Sequence, residues 1–169
     1  LYRADKFGRL SGEQVREVDE VERHANAEFA IATQALGQVR QLAVFDMDGT
    51  LLQGRFVVAL AEATGKQAQL ARYLDHPSLG GDERSQAIAE LFRGVPRSTF
   101  EQVAREIPLT PGAVDTVITL RKRGYTVGVV TDSYRIAAEI VRRRVFADFS
   151  VAHLLRFRAG HAAGELAVS

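Results

Sequence analysis

No cysteine occurs anywhere in the 169 residues, which excludes disulfides, thiolate metal sites and cysteine nucleophiles. Lysine is nearly as scarce, present only at Lys6, Lys66 and Lys122. No apolar run approaches the ~20 residues that cross a bilayer as a helix, so no membrane association is expected. Neither sign of charge dominates: 22 basic and 21 acidic residues leave +1, and no nucleic-acid partner is implied. The four histidines, His24, His76, His153 and His161, show no ligand spacing. The remainder, 46% hydrophobic and 25% charged, suits one globular domain with a modest accessory. The chain opens on Leu1 rather than Met, so the lack of a leader is uninformative and cytoplasm is the default expectation.

The most informative stretch is Leu42-Ala43-Val44-Phe45-Asp46-Met47-Asp48-Gly49-Thr50-Leu51-Leu52. A short apolar run ending in a turn signal predicts a buried strand of a parallel sheet. Ligand sites in such sheets lie beyond the carboxyl ends of the strands, where Asp46 and Asp48 would stand. One carboxylate can attack a phosphoryl group, and a second nearby can move protons to and from the reacting oxygens. Gly49 permits a tight turn and offers an unobstructed N–H to a phosphate oxygen. The bland reading is a strand entering an acidic turn. The apolar run before it and the Gly-Thr-Leu-Leu exit weigh against that.

Upstream, Ser11 offers an N-cap, Val15, Val18, Ala25, Phe29, Ala32, Leu36 and Val39 give a near-heptad stripe, and Gly37 offers an end signal near its close. This predicts one long helix in residues 1–40, packed on its own domain, pairing the chain as a homodimer, or serving as a stalk from an upstream domain. Downstream, helices are expected over Arg55–Ala63 and Gln67–Leu74, over a segment capped by Asp82 that reaches Phe92, and after Pro96 with a Ser98–Glu101 capping box. Four short helices after one strand predict a small helical cap spanning 54–108. The core resumes at Leu109, with a helix from Ala113 to Arg123 and a strand over Tyr125–Val130 ending at Thr131-Asp132-Ser133. Another helix runs to about Arg144, followed by a strand over Phe149–His153 and a hairpin turning at Gly160 or Gly164. This rhythm predicts an α/β fold with a doubly wound parallel sheet, its core made of 41–53 and 109–169.

Phe45-Asp46-Met47-Asp48-Gly49-Thr50-Leu51 resembles the first signature of the haloacid dehalogenase (HAD) superfamily. Gly124-Tyr125-Thr126-Val127-Gly128-Val129-Val130-Thr131 resembles the second motif of its phosphoserine phosphatase-like subgroup, and Leu155–Leu166 that subgroup's hairpin. The resemblance implies a Mg²⁺-dependent phosphatase acting on a small phosphorylated metabolite. Asp46 would be the nucleophile and Asp48 the general acid/base. The Asp46 carboxylate and the Asp48 carbonyl would hold Mg²⁺, and Thr131, Asp132 and Gly49 would hold phosphate. Phosphoserine phosphatases place a Glu for the substrate ammonium where this chain has Arg55, and a cation there favours an anionic group instead. Their Ser-Gly-Gly is Thr-Asp-Ser here, so phosphoserine is not the expected substrate. The family also uses a lysine and a further acidic pair after the hairpin, and no lysine or later acid follows Glu165. This chain alone is therefore expected to be inactive. The alternative is a catalytically incomplete HAD-like module that binds or assembles through its N-terminal helix.

Overall fold

A computed structural model describes residues 41–74 and 80–167. The long helix expected within residues 1–40 lies outside the described residues, as does most of the loop expected over His76–Gly81. The apolar run forms β1 (Leu42–Phe45), followed by a five-residue turn, Met47–Leu51. The cap helices are α1 (Phe56–Thr64), α2 (Gln67–Leu74), α3 (Gly81–Leu91) and α4 (Arg97–Glu106). The core continues through α5 (Ala113–Lys122), β2 (Thr126–Tyr134), α6 (Arg135–Val145), β3 (Phe149–Arg158) and β4 (His161–Ala167).

The strands lie in the order β1-β2-β3-β4, the first three parallel and the last antiparallel to β3. This is the expected α/β architecture, with a mixed, mainly parallel sheet. Consecutive parallel strands added in one direction carry their right-handed crossovers on one face. That face is where Val127 and Val129, paired with Ala43 and Phe45, are fully buried. Among the described residues the opposite face is open. Leu42 is 44% exposed, Val44 49% and Val130 41%, so β1 is not the buried strand its apolar run predicts.

Local chemistry shifts several boundaries. Helix α3 starts after Gly80, whose N–H donates to the Glu83 carboxylate at 3.3 Å, so Gly80 and not Asp82 is its N-cap. Pro96 is the N-cap of α4 and no side chain caps that end. Glu101 bonds instead to Arg97 and Arg105, both at 3.1 Å, in place of the expected capping box. Strand β2 runs on through Thr131, Asp132 and Ser133 to Tyr134. Strand β3 is twice the expected length, because its second half pairs with β4 across a two-residue turn at Ala159-Gly160, both at positive φ.

The cap is sewn to the core twice. At its base, Gln53 N–H donates to Pro108 O (3.0 Å) and Thr110 N–H to Leu51 O (2.8 Å). At the α3–α4 junction, Gly94 N–H donates to Ala162 O (2.8 Å), Ala162 N–H to Val95 O (2.9 Å) and Arg97 N–H to Gly160 O (2.8 Å). Phe100 fills the joint, its ring 6.2 Å from Phe92, 6.1 Å from Tyr134 and 5.3 Å from Phe157. Arg144 on α6 donates to Ala104 O (2.9 Å) and Ile107 O (2.7 Å), closing the C-terminus of α4.

Candidate active site

Strand β1 delivers Asp46 in extended conformation to the carboxyl end of the sheet, where its side chain is exposed. The turn that follows is anchored by buried Met47, Leu51 and Leu52, and closed by Leu52 N–H donating to Met47 O at 2.9 Å. It requires φ = +74° at Gly49, a conformation glycine takes without Cβ strain. The Gly49 N–H donates to Gly54 O at 3.1 Å, within the turn.

The turn swings Asp48 back over the start of α1. Its Oδ1 accepts a hydrogen bond from Phe56 N–H at 2.8 Å, one of the N–H groups a helix start leaves unsatisfied. Burial nevertheless pushes the Asp48 carboxyl up to about 6. The Phe56 N–H and the Arg55 charge act against that rise, while the Asp132 and Asp46 carboxylates add to it. Asp46, Asp48, Asp132 and Arg55 are thus gathered within electrostatic reach of one another. A carboxyl poised near neutrality beside an exposed carboxylate is a suitable acid/base partner for a nucleophile.

Thr131 arrives on the neighbouring strand. Pairing of Phe45 with Val129 sets Asp46 and Thr131 at the same end of the sheet. Thr131 is buried, and its Oγ1 accepts from Ser133 N–H at 3.2 Å. The β2–β3 register slips between Val130 and Tyr134, which frees this segment from regular pairing. A cavity of about 90 Å³ opens beside the motif, lined among others by Asp48, Arg55, Arg84, Asp132, Ser133 and Tyr134. A larger groove of about 310 Å³ runs between α4, α6 and β3 and holds none of the motif residues.

Arg84, Ser133 and Tyr134 join the site without having been singled out in the sequence. Ser133 and Tyr134 had a signal in their adjacency to Thr131. Arg84 had none, being one arginine in a charged helix.

The sequence matches the family model of haloacid dehalogenase-like hydrolases over residues 43–168. The chain belongs to that family. It is 32% identical over 132 residues to phosphoserine phosphatase SerB2 of Mycobacterium tuberculosis, covering 76% of this chain and 32% of that protein. It is 28% identical over 127 residues to a phosphoserine phosphatase of Lactococcus lactis, covering 73% and 59%. The chain thus spans between about a third and three-fifths of the length of these curated relatives. Among solved structures, a phospho-aspartyl intermediate analogue of phosphoserine phosphatase superposes with a TM-score of 0.69 at 23% identity, covering 77% of this chain and 64% of that one. A HAD family hydrolase from Salmonella enterica serovar Typhi gives 0.72 at 15% identity, covering 93% and 55%. These likenesses establish the HAD fold.

The donor set suits the family's magnesium. Asp46, Asp132 and the Asp48 carbonyl are hard oxygen donors; burial is the main cause of the raised Asp48 carboxyl, and the smaller part that comes from the neighbouring Asp132 and Asp46 carboxylates is the kind of repulsion a divalent cation relieves. Among the described residues no three acidic or histidine side chains form a ready cage. An ion held there would keep several waters, as Mg²⁺ usually does.

Proposed function

We propose that this HAD hydrolase cleaves small phosphomonoesters through an aspartyl-phosphate on Asp46. The observation carrying the reading is the pair at the end of β1: exposed Asp46, and Asp48 tied to Phe56 N–H with its carboxyl near 6. A carboxylate oxygen of Asp46 attacks phosphorus in line as the bond to the leaving oxygen breaks. Asp48 gives its proton to that oxygen, and the alcohol departs. Asp48, now ionised, takes a proton from water, whose oxygen attacks phosphorus, releases inorganic phosphate and restores Asp46. Thr131 and the backbone N–H of Asp132 hold phosphoryl oxygens during both steps. Bound Mg²⁺, on the Asp46 carboxylate and the Asp48 carbonyl, would screen the attacking carboxylate from the phosphate.

The relatives named above are phosphoserine phosphatases, but Arg55 supports a different substrate. A guanidinium at the mouth of α1 repels an ammonium group where those enzymes carry a carboxylate.

Asp46→Asn keeps size and removes the nucleophilic charge. In the protein at its full natural length, with p-nitrophenyl phosphate and millimolar Mg²⁺, it is expected to abolish turnover while leaving the melting transition in place. Retention of more than a few per cent of wild-type turnover would refute the assignment.

A further inference from the structure

Two helices carry the same pattern of arginine, glutamate and arginine at four-residue steps. On α4 it is Arg97, Glu101 and Arg105, and on α6 it is Arg135, Glu139 and Arg143. A single stripe of this kind is an ordinary solvated helix face. Here all six residues line one space, the groove of about 310 Å³ between α4, α6 and β3. Apolar surface enters the same groove from Ile136 and Ile140 of α6 and from Leu155 and Phe157 of β3. Eight residues of helix rise about 12 Å, which sets the length of the two charged walls.

The charges of those walls do not balance. Four guanidinium groups meet two carboxylates, an excess of two positive charges. Glu101 is shared by Arg97 and Arg105, both at 3.1 Å. Glu139 is matched from beyond the groove lining, its Oε2 accepting from Arg142 at 3.1 Å and its Oε1 from Ser150 at 2.6 Å. Arg143 donates through Nε to the Glu139 carbonyl at 3.1 Å. Among the described residues, Arg97, Arg105 and Arg143 each spend one of three guanidinium nitrogens on the protein. The Arg97 guanidinium also lies 5.5 Å from the centre of the Phe157 ring, which brings a cation over the apolar floor. All three arginines are exposed, and exposed ion pairs hold so weakly that an entering anion can recruit them.

Size narrows the occupant. The volume stands at the lower end of small-molecule pockets and does not admit a helix, which is about 10–12 Å across with its side chains. A guanidinium fork matches a carboxylate in two parallel hydrogen bonds. We propose that this groove binds a small amphipathic anion, its carboxylate held by the arginine walls and its aromatic or branched apolar body resting on Ile140, Leu155 and Phe157. The site is separate from the phosphatase reading, because Asp46, Asp48, Thr131 and Asp132 all lie outside its lining. An occupant touches cap helix α4 and core helix α6 together, so its binding should also raise the melting temperature.

The test uses the protein at its full natural length and three probes in calorimetry. These are 2-naphthoate, 2-naphthalenemethanol (the same rings without charge) and acetate (the same charge without rings). Naphthoate is expected to bind about tenfold or more tighter than the alcohol, with acetate weakest. Inorganic phosphate, a ligand for the motif and not for an apolar groove, should leave naphthoate binding unchanged. Arg105→Met/Arg143→Met should bring naphthoate and the alcohol within about threefold of each other, and Arg105→Lys/Arg143→Lys should restore part of the gap. Melting curves establish that the variants are folded, and if the double variant is not, Arg143→Met alone carries the comparison. Equal affinity for naphthoate and the alcohol overturns the proposal, as does an unchanged preference in the methionine variants. Displacement of naphthoate by phosphate, or no binding of naphthoate at millimolar concentration, overturns it as well.

Discussion

The ring of Phe149 on β3 lies directly over the α-carbon of Gly128 on β2, its partner across the parallel ladder, and occupies the space where a side chain would begin. Glycine at 128 is thus a packing requirement and not a turn. Gly128→Ala should destabilise the fold by about 1–3 kcal/mol through overpacking. Urea denaturation measures it. In Gly128→Ala/Phe149→Leu much of the loss should return, and additive losses in that double variant would mean the two residues are not coupled.

Asp48, the proposed acid/base, affects stability with an unusual sign. Its carboxyl titrates near 6 in the folded chain against 3.8 for an unperturbed Asp, so between those values the native state holds the extra proton. Stability from this group is present below about pH 4 and lost as pH rises through 6, reaching at most about 3 kcal/mol. Asp48→Asn keeps an oxygen for the Phe56 N–H and removes the charge. It should raise stability at pH 8, have little effect at pH 4, and eliminate turnover. A variant less stable than wild type at pH 8 would contradict the buried-charge account.

Arg144 belongs to the run Arg142-Arg143-Arg144, which in sequence suggests cations serving the end of their own helix. The structure sends it elsewhere, to the last carbonyls of α4. Burial lowers its pKa, but a guanidinium stays charged at any ordinary pH. Arg144→Met should cost about 1.5–3 kcal/mol in chemical denaturation, and a change below about 0.5 would show that water replaces it freely.

Phe146 ends α6 in the left-handed region at φ = +62°, and the residue is 54% exposed. Phe146→Gly removes Cβ strain and gives up little burial. A gain of about 0.5–1 kcal/mol is expected, partly offset by the freer unfolded chain. A lower melting temperature would indicate that the exposed residue is covered.

Much of the backbone around the proposed site was legible because its structure is local. Asp46, Asp48 and Gly49 fall within four residues, and strand, turn and helix start follow from apolar run, glycine and α1 periodicity. The cap helices were legible for the same reason, with α2 matching its expected bounds. Contacts between distant segments were not. Arg84 enters the cavity because α3 packs beside α2 and β4, and its flanking residues carry no trace of that. Ser98 and Glu101 spell a capping box, yet two arginines one turn away compete successfully for the carboxylate. The length of β3 was hidden because its second half is stabilised by β4, a partner that comes later in the chain.

Among the described residues β1 is hydrogen-bonded on one side only, and two of its four side chains stand nearly half in solvent. The proposed nucleophile therefore follows a strand that is paired, among the described residues, along one edge only. Local opening of such a strand takes less free energy than global unfolding. Amides 42–45 should exchange with solvent well before those of β2. On gentle heating, catalysis would fade before the rest of the sheet melts, and anything that settles against the outer edge of β1 would act as an activator without touching the substrate.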